Sequence, residues 1–282
     1  MHEILMGFSL AYWPTESVIE GVEEISNAGF PGFEGTPQIV DRYEDRLEVF
    51  HEILEKTDIE LVAVCCKSNF LIAERLEEEI EIDMNVARFL HNVGAQYLLV
   101  TCGPRRPEGN SDEDWKNLTT ALAELGTRAL DASIQVCVLP THGTIVESRA
   151  DIGRLMTETK PETVFLAVDL GELRAQNIPA KGVIDEYTPR LKYVRFRDVL
   201  DRKMMGRPRL ISKARKAGTS LTAPIGVTLG TGLSELVNAW DALNEREFEG
   251  WTMCVVEEPR GAAAKVVRDC RKYLENNMEL IF

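Results

Sequence analysis

Six short apolar runs in this 282-residue chain end in residues able to do chemistry. One gives Lys67-Ser68-Asn69, and the next gives Thr101 and then Gly103-Pro104-Arg105-Arg106. A third gives Thr141-His142-Gly143-Thr144, and a fourth Asp169-Leu170-Gly171-Glu172. The fifth carries Arg195 and then Arg197-Asp198, and the sixth ends in Glu257-Glu258-Pro259-Arg260. Asp169, Glu172 and Glu257 are candidate proton-transfer groups. A carboxylate does that work near neutral pH when burial or a like charge raises its pKa. Arg195 carries a permanent charge and a fork of donors. It can hold two carboxylates, polarise a substrate carbonyl or bind a substrate carboxylate. His142 is the histidine at these run ends, because His2 is terminal and His51 and His91 fall in helical patterns. Lys67, Arg105, Arg197 and Arg260 can bind an anionic group. Trp13, just after the first run, either walls a pocket or packs on a loop.

For these residues to meet, the chain must bring the run ends to one side. Strand-like runs occupy residues 4–9, 32–35, 61–65, 97–101, 135–139, 164–168, 192–196 and 252–256. Most are continuously apolar, as parallel strands covered on both faces are. Helical patterns fill residues 16–27, 41–56, 73–93, 113–132, 147–157, 180–188, 234–243 and 262–275. Ser111 followed by Asp114 reads as a capping-box start. Eight such units predict an α/β fold, an eight-stranded (β/α)8 barrel, as a single domain over residues 1–282. Barrels of this kind place their active sites on the rim at the C-terminal ends of the strands. A doubly wound sheet is the rival, and it usually shows a glycine-rich turn after its first strand. Ser9-Leu10-Ala11-Tyr12 stands there instead.

The longest interval lies between the seventh and eighth strands. Residues 202–216 hold seven Lys or Arg and no acid, in a chain of 32 Lys+Arg, 46 Asp+Glu and net charge −14. This basic loop, 201–225, is expected over the C-terminal rim. It reads either as a solvated, mobile loop or an interface with an acidic patch of a second copy, or as a lid on an anionic ligand. The acid excess argues against general nucleic-acid binding. No run of about 18 apolar residues is present, which argues against a membrane span. The start, MHEILMGFSLAYWP, lacks a basic n-region and reads as a strand rather than a signal peptide. Cys65, Cys66, Cys102, Cys137, Cys254 and Cys270 form no C-x-x-C pair and read as core thiols of a reducing, cytoplasmic compartment.

Several segments, in order along the chain, resemble the xylose isomerase-like TIM-barrel family of sugar isomerases, epimerases and inosose dehydratase relatives. They are Gly32-Phe33-Glu34-Gly35, Asp114-Trp115-Lys116 and Gly143-Thr144-Ile145-Val146-Glu147. Val168-Asp169-Leu170-Gly171, the stretch from Arg190 to Asp198, and Leu229-Gly230-Thr231-Gly232 complete the set. The resemblance implies a TIM barrel and a divalent metal held from strands five to eight by Glu or His, Asp, His and Glu. It matches Asp169 and Glu257 to two of those ligands. Leu139 stands at the strand-five ligand, Arg195 at the strand-seven histidine, and Glu172 at the histidine after Asp-x-Gly. The expectation is a site with no cofactor, in which Arg195 replaces the ion. A divalent metal enters if His142, Asp169 and Glu257 form a site, which needs a one-residue bulge in strand five. The expected activity is carboxylate-mediated proton transfer on a small hydroxy-carbonyl or sugar-like substrate, neutral or anionic, by an isomerase or epimerase. A metal-independent lyase, dehydratase or cyclase on the same scaffold is one alternative, and a non-catalytic binding or partner subunit is another. The family resemblance also suggests a homodimer.

Overall fold

The computed structural model describes residues 4–219, 221, 224–257 and 261–280. In chain order the elements are β1 (Leu5–Ser9), α1 (Val18–Asn27), β2 (Gly32–Gly35), α2 (Pro37–Tyr43), α3 (Leu47–Thr57) and β3 (Glu60–Ser68). Next come α4 (Leu76–Asn92), β4 (Tyr97–Cys102), α5 (Asp112–Asp131), β5 (Gln135–Val138), α6 (Arg149–Glu158) and β6 (Val164–Asp169). Then follow α7 (Leu170–Ala175), α8 (Ala180–Tyr187), β7 (Leu191–Phe196), β8 (Asp198–Asp201), α9 (Pro208–Ala217), β9 (Pro224–Val227), α10 (Leu236–Glu245), β10 (Trp251–Cys254) and α11 (Ala263–Met278). Eight strands close a barrel in the order β1-β10-β7-β6-β5-β4-β3-β2, and β8 and β9 form a separate ribbon. All eight expected strands are present. Among the described residues no helix is long and apolar enough to cross a membrane.

Internal contacts divide the chain into two units. One comprises Met1–Phe33, Thr57–Ile59 and Val168–Phe282, and the other Glu34–Lys56 and Glu60–Ala167. In the second unit, β3 to β6 pair in parallel, with Lys67 beside Thr101 and Ser68 beside Cys102. Side chains alternate across a strand. Ser68 meets α4, where its hydroxyl donates to Asp83 at 2.6 Å, so Lys67 points to the opposite face of β3. The expected helix over 41–56 is two helices here. The chain turns between them through the Arg46 amide on the Tyr43 carbonyl, and the Arg46 guanidinium donates to the Arg42 carbonyl.

In the first unit, β10 lies between β1 and β7, with Met253 beside Gly7 and Arg195. Phe196 packs edge-on against Trp240 of α10, with ring centroids 6.2 Å apart. Alternation therefore turns Arg195, and Arg197 just past the strand, away from that helix layer. The same unit holds the basic segment, which is not a loop. β8 and β9 pair antiparallel from Asp198–Val227 to Asp201–Pro224, and the chain between them builds α9. Pro208 suits the first helical turn, and Gly218 closes the helix in the left-handed region, φ 59°. Ala214 and Ile211 of α9 join Val199, Leu200, Met204 and Leu221 in a small apolar core of their own. Ile211 and Ala214, three residues apart on one face, seat the helix on that core, while Leu210 is exposed. The expectation for 201–225 covers Ser220, Thr222 and Ala223, which lie outside the described residues.

Candidate active site

Three carboxylates gather around one guanidinium in the first unit. Arg197 Nη1 donates to Glu172 Oε1 at 2.9 Å, and Nη2 donates to Glu257 Oε2 at 2.6 Å. Asp169 Oδ1 lies 3.8 Å from Nη1. Each element has a reason to be there. Asp169 ends β6 and caps α7, its Oδ1 accepting the Gly171 and Glu172 amides at 2.8 and 3.1 Å. That cap starts the short helix that carries Glu172. Glu257 follows β10 and is fixed by the ribbon. Its Oε2 accepts the Gly226 amide at 3.1 Å, and its own amide donates to the Gly226 carbonyl at 3.2 Å. Gly226 permits this approach, because a Cβ there would stand 3.2 Å from Glu257 Oε2 and 3.3 Å from Arg197 Nε.

Burial and charge separate the carboxylates. Burial pushes Asp169 up to about 6 and Glu172 adds to the rise, while Arg197 and Arg195 oppose it. Burial also works on Glu257, but there the charge and hydrogen bond of Arg197, the Gly226 amide and the charge of Arg195 outweigh it. Its carboxyl is held below the usual range. Arg197 is itself held above its ordinary value, against burial, by the three acids. Its side chain is 8% exposed, against 43% for Glu257. Glu257 is therefore the ionised, solvent-reachable acid of the group. Arg197 Nε is buried and has no hydrogen-bond partner among the described residues. The guanidinium is held entirely through its two terminal nitrogens.

Sequence reasoning placed Arg195 at the centre of this network and Arg197 among the anion-binding residues. The structure puts Arg197 between the acids. Arg195 is half-buried on the same strand face, and its charge is felt by both Asp169 and Glu257. Gly226 went unnoticed, since its pairing with Glu257 joins residues far apart in sequence. Trp13 is buried rather than open. It stacks edge-on with Phe8 and donates from Nε1 to Glu24 of α1 at 3.1 Å. Arg260 lies outside the described residues.

The remaining candidates belong to the second unit. Lys67 is exposed at the end of β3. Arg105 is tied to Glu147, Nε to Oε2 at 3.2 Å, and to Asp151. His142 Nδ1 lies 2.8 Å from Glu147 Oε1. The Arg105 amide donates to the Gly143 carbonyl at 2.8 Å, and the Ile145 amide to the Gly103 carbonyl at 3.1 Å. Arg105, His142 and Glu147 thus staple the loop after β4 to the turn after β5.

Eight parallel strands, with acids and arginines at the C-terminal ends of β6, β7 and β10, define a TIM barrel with a charged rim. The chain belongs to the xylose isomerase-like TIM barrel family, which it matches over residues 22–276. An inosose dehydratase of Lacticaseibacillus casei is 25% identical over 277 residues, covering 93% of this chain and 90% of the relative. One of Bacillus thuringiensis (strain Al Hakam) is 26% identical over 276 residues, covering 90% of each. Among solved structures, a zinc-binding IolI protein superposes with a TM-score of 0.78 at 14% identity, covering 98% of each chain. The 3-keto-D-glucoside 4-epimerase of E. coli superposes at 0.76 and 17% identity, covering 97% of this chain and all of that one.

Among the described residues, the donor set does not fit the divalent ion that the family implies. Leu139, at the strand-five ligand position, is apolar and buried. Glu172 and Glu257 spend oxygens on a guanidinium that a cation would repel. Among the described residues, no group of three His, Cys, Asp or Glu side chains is disposed to hold an ion.

Proposed function

We propose that the chain is an enzyme that removes a proton from carbon next to a carbonyl in a small sugar-like or polyol substrate. Glu257 is the base, and Arg195 and Arg197 supply the positive charge that a metal ion supplies elsewhere. The observation that carries this reading is the network itself. One buried guanidinium lowers the pKa of Glu257, which stays partly exposed, while burial raises that of Asp169 to about 6. The raised pKa suits Asp169 to donate a proton, while the lowered pKa leaves Glu257 ionised but a weak base. The barrier to C–H abstraction therefore falls mainly through the fixed cations that hold the enolate. The C–H electron pair passes into an enolate, whose charge the fixed cations stabilise. Reprotonation of that carbon would give epimerisation. Loss of a β-hydroxyl, protonated from the Asp169–Glu172 side, would give dehydration. The relatives named inosose dehydratase favour dehydration. Six free cysteines accord with a reducing, cytoplasmic setting. A homodimer accords with the family resemblance, and light scattering of the purified protein measures it.

The test is solvent deuterium exchange. Inososes, 3-keto-glucosides and ketohexoses are incubated with the protein in D2O and followed by proton NMR, and enone absorbance reports dehydration. The expected result is deuterium at the carbon next to the carbonyl of at least one substrate, lost in Glu257→Gln with the circular dichroism unchanged. Exchange at the wild-type rate in Glu257→Gln, or none with any of the panel, overturns the reading.

A further inference from the structure

The basic segment between the seventh and eighth barrel strands plays no part in the chemistry above, yet one side of it lines a cleft. The cleft holds about 470 Å³ and lies among α7, the start of α8, the end of α9 and the 233–235 segment. Two arginines face it. Arg174 of α7 donates from Nε to the Leu233 carbonyl at 3.2 Å and from Nη1 to Asn177 Oδ1 at 2.9 Å. Arg215 of α9 donates from Nε to the Gly232 carbonyl at 2.9 Å, and from Nη2 to the same oxygen and the Gly230 carbonyl. Arg215 is thus anchored to backbone carbonyls, and Arg174 to one backbone carbonyl and the Asn177 side chain. Arg174 Nη2 and Arg215 Nη1 are left as donors with no partner among the described residues.

Neither arginine has a carboxylate within ion-pair distance among the described residues. Arg75, Arg105, Arg128, Arg154, Arg197 and Arg246 are ion-paired, whereas Arg207 and Arg209 of the basic segment share that lack of an acid but do not line the cleft. Glu235, on the rim, is felt by Arg174 but does not pair with it, and burial lowers the Arg174 pKa. Asp198, whose charge could serve Arg215, spends its oxygens on the Gly232 and Ser234 amides, at 2.6 and 2.9 Å. The cleft also receives the N-terminal end of α8, whose cap Pro179 offers no side-chain acceptor. Unpaired helix N–H groups and preorganised guanidiniums both favour an oxyanion. In a chain of net charge −14, half-buried Arg174 and exposed Arg215, each tied down on one side and left without an acid among the described residues, mark a place where a negative partner fits.

We propose that this cleft is a second ligand site, which binds a small oxyanion, a phosphate or carboxylate group, between Arg174 and Arg215. It abuts the active-site network through the backbone. Arg174 lies two residues beyond Glu172 on α7, and Ser234 donates from its hydroxyl to the Arg197 carbonyl at 2.9 Å. An anion drawn toward Arg174 and Arg215 therefore bears on the two elements that hold Arg197 and Glu172. The site serves as an effector site, or as the seat of an anionic group carried by a larger ligand.

Isothermal titration calorimetry of the full chain tests this with three probes: inorganic phosphate, malonate and chloride at matched ionic strength. Saturable binding of phosphate or malonate, but not of chloride, is expected. Which of the two binds more tightly separates a phosphate from a carboxylate ligand. Arg174→Gln and Arg215→Gln are each expected to weaken binding about tenfold, the order of one charge-assisted hydrogen bond. Ile178→Glu places a negative charge in the cleft without touching either anchor. It is expected to abolish binding even if the arginine variants fold poorly. Lys213→Gln, on the exposed face of α9, is expected to leave binding within about twofold. Absence of saturable binding, binding that survives Ile178→Glu, or an equal loss in Lys213→Gln overturns the proposal. The last of these would mean diffuse attraction to a basic helix.

Discussion

Replacing Arg197 by methionine tests whether the carboxylate network is held by that side chain. The substitution keeps the apolar stem and removes the charge. It leaves Asp169, which is 2% exposed, and Glu172, which is 14% exposed, without their counter-ion. Breaking a buried ion pair from one side costs about 3–5 kcal/mol, because a charge is left in low dielectric. Glu257 adds little to that figure, since at 43% exposure water replaces much of what it loses. The cost depends on pH with a definite sign. Arg197 lowers the Asp169 pKa, which already stands raised to about 6, so its removal raises the folded-state value further. A carboxyl with a folded pKa above its unfolded one loses stability as pH rises between the two values. The penalty of Arg197→Met is therefore largest near pH 8 and smaller near pH 5, where the folded variant takes up the proton. Urea denaturation of both proteins at the two pH values, followed by circular dichroism, measures it. A penalty below about 1 kcal/mol at pH 8, in the range of an exposed pair, or a larger penalty at pH 5, refutes the reasoning.

Other consequences follow from sites away from the network. Burial pushes Asp83 up to about 7, while its hydrogen bonds from Ser68 and Cys66 work the other way. The wild type should lose on the order of 4 kcal/mol between pH 4 and pH 8 from this group alone. Asp83→Asn should remove that slope and be the more stable protein at pH 8, as denaturation at several pH values would show. A Cβ at Gly232 would run into Asp198 Oδ1 and stand 2.7 Å from the Val199 amide. Gly232→Ala should therefore cost about 1–3 kcal/mol and lower the melting temperature. Ser111 accepts the Asp114 amide and begins the capping box of α5. Ser111→Ala should cost about 1 kcal/mol in the same assay.

The barrel was legible because its strands are covered on both faces. β4 and β6 read as unbroken apolar runs since neither face meets water along most of their length. Glycine and capping signals then marked where helices start and stop. The site was only partly legible. Alternation shows that Arg195 and Arg197 share a strand face, and the run was expected to stop at Phe196 as it does, but sequence does not show which of the two arginines meets the acids. Beyond that point the Arg197 side chain turns in among the acids. Glu257 lies past the end of β10 and is placed by Gly226 of a ribbon whose two strands are separated by a whole helix. No local pattern encodes that pairing. The basic segment did carry its signals, Pro208 at the start and Gly218 at the end. Its density of charge masked the apolar stripe that seats α9.

The central claim is that a guanidinium does in this barrel what a divalent ion does elsewhere in the family. The most direct test is elemental analysis of protein purified without chelator or added metal, together with the deuterium-exchange rate before and after EDTA. The account predicts less than a tenth of an equivalent of zinc, manganese, cobalt or iron per chain, an order below one-to-one occupancy. It also predicts an exchange rate that neither EDTA nor added manganese changes. One equivalent of metal per chain, with exchange lost on chelation and restored by the ion, would contradict it.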